Sequence, residues 1–216
     1  MWLDSRPFTF VLQRLAPCCV AILAAAPVQA EVNRVVQIEE HWELRLSQPD
    51  GELSAPQTTM VVSPSGDLET VHFLFTLNHS TVPSYSPGGL QIQAWESDQL
   101  LDHEEADAVG ALVHDEEVVR WVQRMSLDDN AITFRILDGE SETWGPFGGD
   151  GLSLSIETEL SSLNSYRPGV SITESQVSYA ENRVQSLTLT KLVWITEDGE
   201  VHELNAPIAV DTSLDP

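Results

Sequence analysis

Cysteine is almost missing from this chain of 216 residues. Only Cys18 and Cys19 occur, side by side near the N-terminus. From residue 20 onward there is no disulfide, no thiolate metal site and no cysteine nucleophile. Positive charge is scarce as well, with 10 Lys and Arg against 34 Asp and Glu. Only Asp4, Arg6 and Arg14 precede Glu31, so 33 acids and 8 bases follow, a net of −25. Lys191 is the single lysine. Such a surface repels nucleic acid and anionic lipid, which are bound by Lys and Arg neutralising phosphate. Both partner classes are excluded. A saline surrounding suits the composition, because salt screens the self-repulsion.

Long apolar runs are equally few. The one candidate, Leu15–Ala26, follows Arg6 and Arg14 and is shorter than the roughly 20 residues a membrane span needs. Val28, Gln29 and Ala30 then place small residues where a signal peptidase reads. This anatomy predicts a signal peptide over residues 1–30, cleavage after Ala30, and a secreted or periplasmic protein without membrane insertion. Leu15-Ala16-Pro17-Cys18 loosely resembles a lipid-attachment box, but the apolar core should precede such a cysteine and here follows it.

From Glu31 to Pro216 the pattern is period-2 alternation, and no composition shift marks a linker. Residues 31–216 are therefore expected to form one domain. In Val36–Leu46 the even positions are apolar except Glu40, which suggests a bulge or strand end there. Similar runs at Thr58–Ser63, Val71–Leu77, Leu90–Trp95, Val118–Met125 and Ala131–Leu137 read as strands. So do Leu152–Leu160, Val170–Thr173, Arg183–Ile195 and Val201–Leu204. Pro64–Asp67, Asp138-Gly139 and Asp198-Gly199 are turn signals. The sum is an all-β, antiparallel sandwich or jelly-roll-like fold of about ten strands with little helix. The one helix candidate is Asp102–His114, weakened by Gly110.

No catalytic motif stands out. There is no Gly-x-Ser-x-Gly elbow, and Gly145, Gly148, Gly149 and Gly151 lack the helix and basic partner of a phosphate cradle. Trp42 and Trp121 are in phase with core positions. Trp95 follows Gln91 and Gln93, Trp194 is in phase with Ser186, Thr188 and Thr190, and Trp144 stands in a glycine-rich segment. A ring beside polar groups can stack on a sugar, so Trp95, Trp144 and Trp194 are the candidate ligand-binding residues. Covering the rim of the core is the bland alternative for the same rings. Glu157 and Glu159 alternate on a polar strand face, where two carboxylates about 5–5.5 Å apart would suit a retaining glycosidase. Solvent-facing glutamates need no such role. His103, Glu104, Asp107, His114 and Asp115 could hold Ca²⁺ or a zinc-like metal. Their spacing matches no metal motif and fits a solvated acidic segment better, so no cofactor is expected. Asn78-His79-Ser80 has the form of a glycosylation acceptor.

The functional expectation is a module for an extracellular glycan or another envelope component. A secreted glycoside hydrolase using Glu157 and Glu159 is the alternative, and a structural envelope protein without a small ligand is the third.

Overall fold

A computed structural model describes residues 33–47, 56–78, 89–106, 114–205 and 207–212. The first strands are β1 (Val35–Leu46), β2 (Gln57–Val62), β3 (Val71–Leu77), β4 (Leu90–Glu96) and β5 (Gln99–Ala106). Then come β6 (Val118–Asp128), β7 (Ala131–Ser141), β8 (Gly145–Phe147) and β9 (Ser153–Glu157). Helix α1 (Pro168–Glu174) precedes β10 (Gln176–Tyr179), β11 (Val184–Thr196), β12 (Val201–Leu204) and β13 (Ile208–Ala209). One sheet has the order β12-β11-β1-β6-β7-β8, with β13 also on β11 and β9 also on β7. The other runs β10-β2-β3-β4-β5. Every pairing is antiparallel. The protein is an all-β sandwich, as the alternation predicts.

The core lies between the sheets because the long strands, β1 to β4, β6, β7 and β11, send an apolar phase inward. Phe73 of β3 stacks on Phe134 of β7 at 5.1 Å, and Phe75 meets Trp121 of β6 edge-on at 5.8 Å. Trp42 and Trp121 pair across β1 and β6, stack at 6.2 Å and are fully buried, as their phase predicts. Each such ring contributes about 1.5–3 kcal/mol through burial.

Several local expectations are corrected. Asp102–Ala106 belong to β5, an edge strand, not to a helix; residues 107–113 lie outside the described set. Val170–Thr173 are helical instead of extended. Pro168 starts α1 with a backbone angle already suited to a first turn, which overrides the β-branched composition. Asp138-Gly139 is no hairpin turn but lies within β7, where Leu137 and Asp138 form a bulge and Gly139 pairs with Trp121. The β6–β7 turn falls at Asp129, whose φ is 37°. Asn78 is no open acceptor: it is buried at positive φ, with Nδ2 donating to the Pro56 carbonyl.

Trp194 changes face. Against β1, Lys191 pairs with His41 and Leu189 with Trp42, leaving Thr190 as an extra residue in β11. One inserted residue moves all later side chains to the opposite face. Leu187 and Leu189 before the bulge, and Leu192 and Trp194 after it, therefore share the inner face. Trp194 lies opposite Ile38, packs on the core as a partly buried ring, and stacks on His202 at 5.3 Å.

Glu40 neither ends nor bulges β1. It keeps the inward phase and is 1% exposed. Its Oε2 accepts from Trp42 Nε1 at 2.9 Å and Gln123 Nε2 at 2.7 Å. Its Oε1 accepts from Tyr166 Oη and Ser171 Oγ, each at 2.5 Å. Four donors compensate a carboxyl that would otherwise be costly to bury.

Candidate functional site

The outer face of β1, β6 and β7 carries a cleft of about 840 Å³. Two irregularities make it. Thr190 bulges β11 on one side of the His41–Val122 pair, and Leu137 with Asp138 bulges β7 on the other. Bulges bend strands and sharpen their twist, which hollows a face that would otherwise be plain sheet.

The rim is held from inside. Glu117, fully buried, accepts from the Thr143 backbone N–H at 2.9 Å and from Thr143 Oγ1 at 2.7 Å. Ser141 Oγ accepts from the Trp144 N–H at 2.8 Å. These contacts fix the β7–β8 turn beside Pro146 and Glu140. Gly148 passes at φ 102°, where a Cβ would stand 2.8 Å from the Leu137 carbonyl oxygen, so no other residue fits.

The floor is a cross-strand row: Glu43, Arg120 and Glu140 on β1, β6 and β7. Glu43 accepts from Arg45 Nε at 2.7 Å and from Arg120 Nε at 2.8 Å. Partial burial acts to raise its carboxyl pKa, but the two guanidinium groups prevail and hold it below the ordinary glutamate value. His41 sits beside this row. Burial lowers the imidazole pKa, against the opposing pull of Glu39. Its Nε2 has no hydrogen-bond partner among the described residues and lies 3.8 Å from the Glu39 carboxylate.

This face gathers five of the eight bases that follow Glu31, and each is committed to a carboxylate. Arg45 and Arg120 hold Glu43, Arg124 holds Glu39, Arg135 holds Asp150, and Lys191 holds Glu203. Asp138 and Glu140 line the cleft without a side-chain hydrogen bond among the described residues. The unspent polar capacity is thus acceptor-rich and anionic.

The residues singled out by the sequence are scattered. Trp144 is 8% exposed and packs edge-on against Phe147 at 5.9 Å, so it presents no open ring. Trp95 stays on the outer face of the other sheet beside Gln93, half-buried, with its Nε1–H enclosed and unpartnered among the described residues. Trp194 is on the core side of the first sheet. The three do not form one surface.

Glu157 ends β9 and Glu159 follows it; both are exposed. They border a second, broader cleft of about 1360 Å³ with Glu96, Asp128 and Asp129. His103 and Glu104 are exposed neighbours on β5, His114 and Asp115 are exposed before β6, and Asp107 lies outside the described residues. Among the described residues no three His, Cys, Asp or Glu side chains are placed to hold a metal ion. The cleft floor itself was illegible in sequence, although Glu43, Arg45 and Arg120 do occupy polar phases of their strands.

Compared with known proteins, the chain matches no family model, no curated protein and no solved structure.

Proposed function

We propose that this protein is an exported binding module that takes a glycan in the cleft over Glu43 and Arg120. The observation that carries the reading is the ion-paired row Arg45–Glu43–Arg120 beside Glu140, a set of donors and acceptors fixed by the sheet. Sugar hydroxyls both donate and accept, so they match a floor that alternates carboxylate and guanidinium. Pro146 on the rim adds an apolar edge for the ring carbons. The volume falls within the usual range of small-ligand sites, about 300–1,000 Å³. Of the rings proposed from sequence, none is needed here, and the rigid polar row takes their place.

A glycan array with the purified protein tests this, followed by calorimetry on any hit. Saturable binding that Arg120→Ala weakens, with the fold intact by circular dichroism, supports the module. Binding indifferent to Arg120 and Glu140 refutes the assignment of the cleft. Release of reducing sugar that is lost in Glu157→Gln would instead support a hydrolase at the second cleft.

A further inference from the structure

The Glu40 cluster has a chemical asymmetry. At Oε2 both donors are nitrogen: the Trp42 indole, which can only donate, and the Gln123 amide. The Gln123 amide is oriented because its Oε1 accepts from Trp121 Nε1 at 3.4 Å. Neither could accept a proton offered by Oε2. At Oε1 both partners are hydroxyls, Tyr166 and Ser171, and a hydroxyl rotor can turn from donor to acceptor. A proton on Oε1 is therefore accommodated by turning Ser171, whose hydroxyl then accepts from the carboxyl and donates to Tyr166 Oη beside it.

The two hydroxyls belong to the segment that crosses from β9 to β10. Tyr166 precedes α1 and Ser171 lies within it, both buried, while Glu40 and Gln123 belong to the large sheet. The carboxyl thus joins that segment to the middle of β1, while Leu163 N–H to the Val35 carbonyl at 2.7 Å and Val35 N–H to Asn164 Oδ1 at 2.8 Å tie it to the start of the strand. Around the carboxyl stand Ile38 and Trp42 on β1, Gln123 on β6 and Leu192 on β11, none of which titrates. Tyr166, from the 158–167 connection, is the one titratable contact among the described residues, and its environment pushes the phenol well above its ordinary pKa through burial and the nearby carboxylate. Glu39 and His41 occupy the opposite face of β1, and Arg167 and Glu174, flanking and ending α1, are exposed.

We propose that Glu40 is a proton-operated clasp: neutral, it fastens the 158–175 segment to the sheet, and ionised, it weakens that hold. Burial outweighs the hydrogen bonds from Ser171, Tyr166, Trp42 and Gln123 and displaces the carboxyl above the ordinary glutamate pKa. The folded state then binds a proton that the unfolded chain has already released. Stability from this group is full below the unfolded pKa and is lost as pH rises through the folded one. The clasp is independent of what the cleft binds.

Hydrogen exchange of the full protein between about pH 5 and pH 8, corrected for intrinsic rates, reads this directly. In wild type, peptides within 158–175 should lose protection relative to the core strands as pH rises, by up to about tenfold per pH unit between the unfolded and the folded pKa. In Glu40→Gln the response should be flat, since a neutral amide cannot ionise. Carbon-13 labelling of the carboxyl, assigned by its loss in Glu40→Gln, should show titration above the ordinary glutamate range. Should Glu40→Gln not fold, Tyr166→Phe and Ser171→Ala serve, each removing one donor to the ionised form and moving the titration further up. An ordinary titration, equal protection at every pH, or a pH response persisting in Glu40→Gln would overturn the proposal.

Discussion

The ring of Phe147 fills the space where a side chain at Gly139 would begin. A Cβ on Gly139 would stand 2.1 Å from Phe147 Cε2. The ring is held by Trp144 at 5.9 Å and Phe75 at 6.4 Å, so it has little freedom to retreat. Gly139→Ala should overpack this corner and cost about 1–3 kcal/mol. Each kcal/mol lowers Tm by roughly 2–4 °C in a domain of this size. A thermal melt checks it, and an unchanged Tm would mean that the β8 rim is looser than described.

Ligand binding should depend on charge at the cleft floor. Arg120→Ala leaves Glu43 with Arg45 alone and should weaken binding by about 2 kcal/mol, roughly thirtyfold. Trp194→Ala, on the core side, should lower Tm while leaving affinity nearly unchanged. Neutral and amine-bearing sugars should be preferred to sulfated ones, because Asp138 and Glu140 carry the uncommitted charge. The Glu43 carboxyl is held low, so its pairs persist above the unfolded pKa and fail as pH falls through the folded value. Calorimetry at descending pH should show affinity surviving below the ordinary glutamate pKa, then dropping.

Added monovalent salt should raise Tm at neutral pH. Salt weakens the exposed pairs of Arg34 with Glu197 and Lys191 with Glu203, but such pairs are worth only about 0–1 kcal/mol each. Relief of the repulsion within residues 31–216, net −25, acts in the other direction and on far more charges. A melt series in sodium chloride decides between the two, and a falling curve would count against the repulsion argument.

Exported protein should begin at Glu31, since the apolar stretch and the small residues at Val28–Ala30 stand in the order a signal peptidase requires. Intact-mass analysis checks this. Material beginning at Cys18 with added lipid would show the anchored alternative instead.

Strands were legible wherever one face is wet and the other dry, because alternation then records burial residue by residue. β4 runs over Leu90–Glu96, with buried and half-buried residues alternating as expected, and Trp42 and Trp121 are core as their phase requires. α1 was hidden because Val170, Ile172 and Thr173 resemble a strand, and Pro168 was the available signal against it. Glu40 was visible as a break in the pattern. Its four partners were not, since Tyr166 and Ser171 lie more than 120 residues away.

The sequence by itself determined the fold class, the acidic surface, the lack of cysteine chemistry beyond Cys19 and the identity of most core residues. These follow from local composition and period, which need no knowledge of what lies opposite. Tertiary structure decided the faces of Trp144 and Trp194, the cleft between two bulges, and the clasp at Glu40. A bulge is one residue of mismatch between two strands, and a buried carboxyl is tolerable only if distant donors arrive. Both are properties of pairs of segments, and so neither can be read from either segment alone.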